Sequence, residues 1–123
     1  MASPFRALII DDDPDLVSLI RRTLEFTAGW EVQGALSGAA GIALARDAPP
    51  DVILVDLMMP EMDGYEVCRR LKADSATASV PVVLLTARRD LDEGLLAATG
   101  AAGVLFKPFE PQNLARQVQE LCP

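Results

Sequence analysis

Three aspartates, one threonine and one lysine stand where apolar runs give out: "ALII" leads into Asp11 and Asp12, "VILV" into Asp56, "VVLL" into Thr86, and "GVLF" into Lys107. Short β-branched apolar runs read as buried strands, so these polar groups fall at strand tips. In open parallel α/β sheets, ligands bind in the crevice beyond the carboxyl ends of the strands. The tips are therefore read together, as one site. Carboxylates gathered at one edge repel, at ~4 Å and an effective dielectric near 20 by on the order of 4 kcal/mol per pair. They call for a cation. An all-oxygen donor set in a chain without histidine favours Mg²⁺, which takes one or two carboxylates and keeps several waters. Calcium would want more oxygens, and the twelve-residue EF-hand loop pattern is absent. A carboxylate beside Mg²⁺, a lysine and a hydroxyl is equipment for phosphoryl transfer, where the protein positions groups and neutralises charge on the equatorial oxygens. Asp56 is the candidate nucleophile, forming an aspartyl phosphate.

The elements that must position these groups alternate in kind. "FRALII" reads as a strand, followed by the helical pattern "DLVSLIRRTLEFT" with Leu16, Leu19, Ile20 and Leu24 at helical spacing. "WEVQGALS" is a weaker strand, and the helix "GAAGIALARDA" is stopped by Pro49-Pro50 before "DVILVD". "GYEVCRRLKAD" offers Val67, Cys68 and Leu71 as an inner face. Strand "VPVVLLT", a short helix around "LDEGLLAAT", strand "GVLFK" and a last helix "EPQNLARQVQEL", with Leu114, Val118 and Leu121 on one side, complete the chain. Five strands alternating with five helices imply right-handed crossovers and a parallel sheet covered on both faces. The expectation is a doubly wound five-stranded α/β fold, a single domain over residues 1–123 with no output domain in this chain.

Composition narrows the partners. The 123 residues, half of them apolar, suffice for one compact core. A net charge of −7 without a Lys/Arg-rich block argues against unaided binding to nucleic acid or to an anionic membrane, which need a positive surface. Cys68 and Cys122 lie too far apart for a Cys/His zinc site or a disulfide framework. No apolar run approaches the ~20 residues of a membrane span, and the N-terminus lacks the pattern of a signal peptide. A soluble cytoplasmic protein is expected.

Several residues near the tips have plainer readings. Asp13-Pro14 suits a helix N-cap followed by proline at the first helical position. Met58, Met59 and Met62 read as adaptable packing around a loop and not as a soft metal box. Pro60 and Gly64 bracket a turn, and Asp63-Gly64 starts the next helix. The glycines of "TGAAG" end a helix; no GxxxxGK phosphate cradle follows a strand.

The blocks "IIDDDPDL", "VDLMMPEMDG", "LLTA" and "FKPF", in that order, resemble the receiver domain of two-component response regulators over essentially the whole chain. The resemblance implies a flavodoxin-like fold with strand order 2-1-3-4-5, and it implies roles. Asp56 is similar to the phospho-accepting aspartate, Asp12 to the direct Mg²⁺ ligand and Asp11 to the ligand acting through water. Met58 would add its backbone carbonyl. Thr86 resembles the hydroxyl that reorients toward the phosphoryl group, with small Ala87 beside it, and Lys107 the ammonium that pairs with a phosphoryl oxygen. The family's Lys-Pro bond at this position is cis. The implied partners are a sensor histidine kinase or phosphotransfer protein, and a second copy or an effector on the last two helices and last strand.

The chain also departs from the family pattern. Receiver domains usually carry Tyr or Phe at the position matching Val104, and valine, stiff at χ1, cannot make the same swing. Gly94 falls in an already short helix, so Leu91 to Thr99 is expected to be the softest helix. Two rivals to a phosphorylated switch stay open: a receiver-like module that works unphosphorylated, and a Mg²⁺-dependent aspartyl-phosphate phosphatase of the haloacid dehalogenase type. The phosphatase wants an acid two residues after its nucleophile, where this chain has Met58.

Overall fold

"VILVD" forms the strand Val52–Asp56 (β3), and every one of its residues is buried, as only a strand covered on both faces allows. In the computed structural model, which describes residues 4–123, the same logic produces Arg6–Ile10 (β1), Glu31–Ala35 (β2), Val82–Thr86 (β4) and Gly103–Phe106 (β5). The first three positions of the expected 1–123 domain lie outside the described residues. The strands pair in parallel in the order β2-β1-β3-β4-β5, the expected doubly wound order. Helices Pro14–Ala28 (α1), Gly38–Asp47 (α2), Gly64–Ala73 (α3), Glu93–Thr99 (α4) and Leu114–Leu121 (α5) connect or follow them.

The alternation of side chains along each strand divides the core into two layers. Ala7, Ile9, Val52, Leu54, Val83 and Leu85 pack against Val17, Ile20 and Leu24 of α1 and Leu114 and Val118 of α5. Leu8, Ile10, Ile53, Val55, Val82 and Leu84 pack against Ala45 of α2 and Val67, Cys68 and Leu71 of α3. One layer thus lies under α1 and α5, and the other under α2, α3 and α4, which adds Leu96 at its margin.

Local signals fix the helix ends. The Asp13 carboxylate accepts from the amides of Asp15 and Leu16, and Pro14 occupies the first helical position, as a cap followed by N1 proline predicts. Asp63 caps α3 through the Glu66 amide at 2.9 Å. Gly29 and Gly100 end α1 and α4 in the left-handed region, with φ of 69° and 76°, where a Cβ would be strained.

Three expectations need correction. Leu19 does not face the core: it is 53% exposed, and Val17 takes the inner position, giving the spacing Val17, Ile20, Leu24. The last helix begins with a 3₁₀ turn, Pro111–Asn113, because Pro111 can open a turn without an amide donor. Gly94 is not interior, since it is the second residue of α4, where the amide has no intrahelical acceptor in any case.

Candidate phosphoryl-acceptor and metal site

The alternation that builds the core also aims the tips. Asp11 continues the series Ala7, Ile9; Asp56 continues Val52, Leu54; and Lys107 follows Leu105 by two, all toward the layer beneath α1 and α5. Thr86 continues Val82 and Leu84 and so lies on the opposite face of the sheet.

The three acids converge. Asp11, Asp12 and Asp56 each offer a carboxylate oxygen, and these lie within 4.8 Å of one another. Asp11 and Asp56 are buried while Asp12 is exposed. The Lys107 Nζ donates to Asp56 Oδ1 at 3.1 Å and to Asp11 Oδ2 at 3.3 Å. Three carboxylates (−3) against one ammonium (+1) leave −2 at one rim, the charge a divalent ion would balance, and the donors are all oxygen. The residues fit Mg²⁺.

Titration reflects the crowding. Burial raises the pKa of Asp11, a hydrogen bond from the Asp13 amide opposes the rise, and the Asp56 charge adds to it. For Lys107, burial disfavours the ammonium, but the Asp11 and Asp56 carboxylates outweigh it and hold the pKa above its usual value. The lysine is therefore a permanent cation between two acids.

The remaining expected residues are placed as follows. Thr86 is buried, and its Oγ1 accepts from the Arg88 amide at 3.0 Å. The hydroxyl is thus tied to the loop after β4 and not to the acids. Ala87 is exposed at the mouth, Met58 is 54% exposed, and the Lys107-Pro108 bond is cis.

Sequence reasoning undervalued Gly64. A Cβ there would lie 2.7 Å from the Asp56 carbonyl oxygen and 2.8 Å from the Leu57 Cα. Its amide donates to the Leu57 carbonyl at 2.9 Å, closing the loop that follows the acid. The signal was a glycine directly after a helix-capping aspartate, which read as a turn and a helix start and not as a close approach to the backbone of the acid's strand. The tie between Thr86 and Arg88 was also missed, since a main-chain amide leaves no mark in residue type.

Comparison with known proteins supports one family. Residues 7–119 match the family model described as response regulator receiver domain. The chain is 43% identical over 117 residues to the DNA-binding dual master transcriptional regulator RpaA of Synechocystis sp., covering 94% of this chain and 48% of the relative. It is 41% identical over 121 residues to response regulator PleD of Caulobacter vibrioides, covering 94% of this chain and 26% of the relative. The chain thus spans about half, or less, of the length of these curated relatives. Among solved structures, the chemotaxis protein CheY4 of Vibrio cholerae superposes with a TM-score of 0.91 at 32% identity, covering 97% of this chain and 99% of that one. A response regulator from Chloroflexus aurantiacus gives 0.87 at 33% identity, covering 97% and 98%. Whole-length likeness in fold, and a family match that spans the strand tips from Asp11 to Lys107, have a single reading: the chain belongs to the response regulator receiver domains of two-component signalling.

Proposed function

We propose that this domain is a phosphorylation-activated switch that accepts a phosphoryl group on Asp56 from a sensor histidine kinase or a phosphotransfer protein. The observation that carries the reading is the convergence of Asp11, Asp12 and Asp56, with Lys107 3.1 Å from the acceptor carboxylate. An Asp56 oxygen attacks phosphorus, the bond from phosphorus to the donor's imidazole nitrogen breaks, and that nitrogen keeps the electron pair. Lys107 shifts from its carboxylate partners toward a phosphoryl oxygen, and the Thr86 hydroxyl turns toward another. Asp11, Asp12, Asp56 and the Met58 carbonyl would hold Mg²⁺, which supplies charge neutralisation at the transferring group. Buried walls around Asp11 and Asp56 strengthen each of these interactions.

The product is a change of shape, passed to an effector or a second copy at α4, β5 and α5. Receiver domains act as switches, and we place this one among them, assisting only its own phosphorylation and dephosphorylation. RpaA is named as a DNA-binding regulator; at −7 we assign no nucleic-acid or membrane contact to this chain. No helix among the described residues is long and apolar enough to cross a membrane, and a cytoplasmic location suits a kinase-fed switch.

Intact-mass measurement after incubation with Mg²⁺ and a small acyl-phosphate donor tests the proposal. One phosphoryl mass on the wild type and none on Asp56→Asn is expected. Continuous hydrolysis of phosphoesters would favour a phosphatase instead, and no addition would favour a module that works unphosphorylated.

A further inference from the structure

Of the strand-borne site residues, Thr86 alone lies on the α2, α3 and α4 face. Its register partner on β5 is Phe106, and parallel partners in register project to the same side of a sheet. Val104, where an aromatic is usual in receiver domains, is paired two positions back with Leu84. An aromatic ring is thus present on the right strand and face, two register pairs nearer the site.

That ring is engaged. The Arg89 guanidinium carbon lies 4.4 Å from the Phe106 centroid. Arg89 follows directly on Arg88, whose amide donates to Thr86 Oγ1 at 3.0 Å and whose side chain is occupied by Asp90. The Thr86 carbonyl in turn accepts from the Lys107 amide at 2.8 Å. The contacts close a ring: hydroxyl to loop amide, loop to guanidinium, guanidinium to aromatic, and β5 back to Thr86.

We propose that Arg89 and Phe106 form a latch that Thr86 opens, replacing the aromatic coupling that Val104 cannot provide. This rests on phosphorylation at Asp56 as proposed above. When the Thr86 hydroxyl leaves the Arg88 amide for a phosphoryl oxygen, the loop between β4 and α4 loses one of its ties and Arg89 lifts from the ring. Phe106 and the start of α4 are then uncovered on the face that is read by partners. Cation–π contacts at exposed sites are weak, so removing this one should shift the population only about two- to fivefold.

Side-chain NMR of Arg89, read alongside intact mass, tests the latch. In the unmodified protein its Cδ protons should show the ring-current displacement of a stacked aromatic, lost in Phe106→Leu. After stoichiometric phosphorylation they should move toward the free-arginine position. Arg89→Gln should take up phosphoryl groups from a small donor about two- to fivefold faster, with Arg89→Lys restoring the wild-type rate. A full phosphoryl mass with unmoved Arg89 resonances overturns the latch alone. No phosphoryl mass overturns both the latch and the function it rests on.

Discussion

Asp11 shows what the site costs the fold. Its carboxyl sits above the ordinary range because burial, with the Asp56 charge added, outweighs the Asp13 amide and Lys107. A carboxyl whose folded pKa exceeds its unfolded value lowers stability above the folded pKa, and that cost fades as pH falls through it. With Mg²⁺ chelated, the Asp11 contribution should therefore raise the thermal midpoint as pH is lowered through the raised pKa toward the ordinary carboxylate range. Asp11→Asn should flatten this rise and add about 1 kcal/mol, several degrees, at neutral pH; a lower midpoint would contradict the charge argument. Met58, half-exposed two residues beyond the acceptor, should shield the acyl phosphate from water. We expect Met58→Asn to shorten the phosphoryl lifetime about two- to tenfold, the effect of one added hydrogen bond to the attacking water, as followed by decay of the phosphoprotein mass. The convergence of Asp11, Asp56 and Lys107 was legible because strand alternation projects them to one face, and Asp12 joins them as the exposed neighbour of Asp11. Thr86's present partner was not, since it is a main-chain amide.

Elements differ in how much slack they have. Gly64 opens α3 against the backbone of Asp56 and Leu57, which cannot yield as a side chain can. Gly64→Ala should destabilise by about 1–3 kcal/mol, read as a lower urea midpoint. Gly94 is the counterpart: a Cβ there meets only Asp92 Oδ1, at 3.4 Å. Gly94→Ala should stabilise the protein by about 0.4–1 kcal/mol, chiefly by restricting the unfolded chain, read as a higher urea midpoint. With seven residues and only Thr99 buried, α4 has little else to hold it. The shortness of this helix was readable from the sequence, whereas the place of Gly94 in its first turn was not. The exposure of Leu19 was not, because Leu16, Val17, Leu19 and Ile20 satisfy more than one helical stripe, and only the docked neighbours choose between them.

At the scale of the whole molecule, the alternation of strands and helices was enough to give a parallel sheet covered on both faces, while the order of its strands was legible only through the family resemblance, since right-handed crossovers allow more than one doubly wound order. The same topology ties metal binding to global stability, because the three acids come from the ends of β1 and β3 and meet only in the folded chain. Mg²⁺ at one hundred times its dissociation constant should stabilise the protein by about 2.7 kcal/mol. Calorimetry would show a midpoint that climbs with Mg²⁺ concentration, and an unchanged midpoint would count against the metal site. All five strands run the same way and deliver their tips to one rim, so each helix must carry the chain back. The start of β1 and the end of α5 consequently share the far rim, and a linker, tag or further module fused at either terminus would hang there like a tether, leaving the mouth open to its donor.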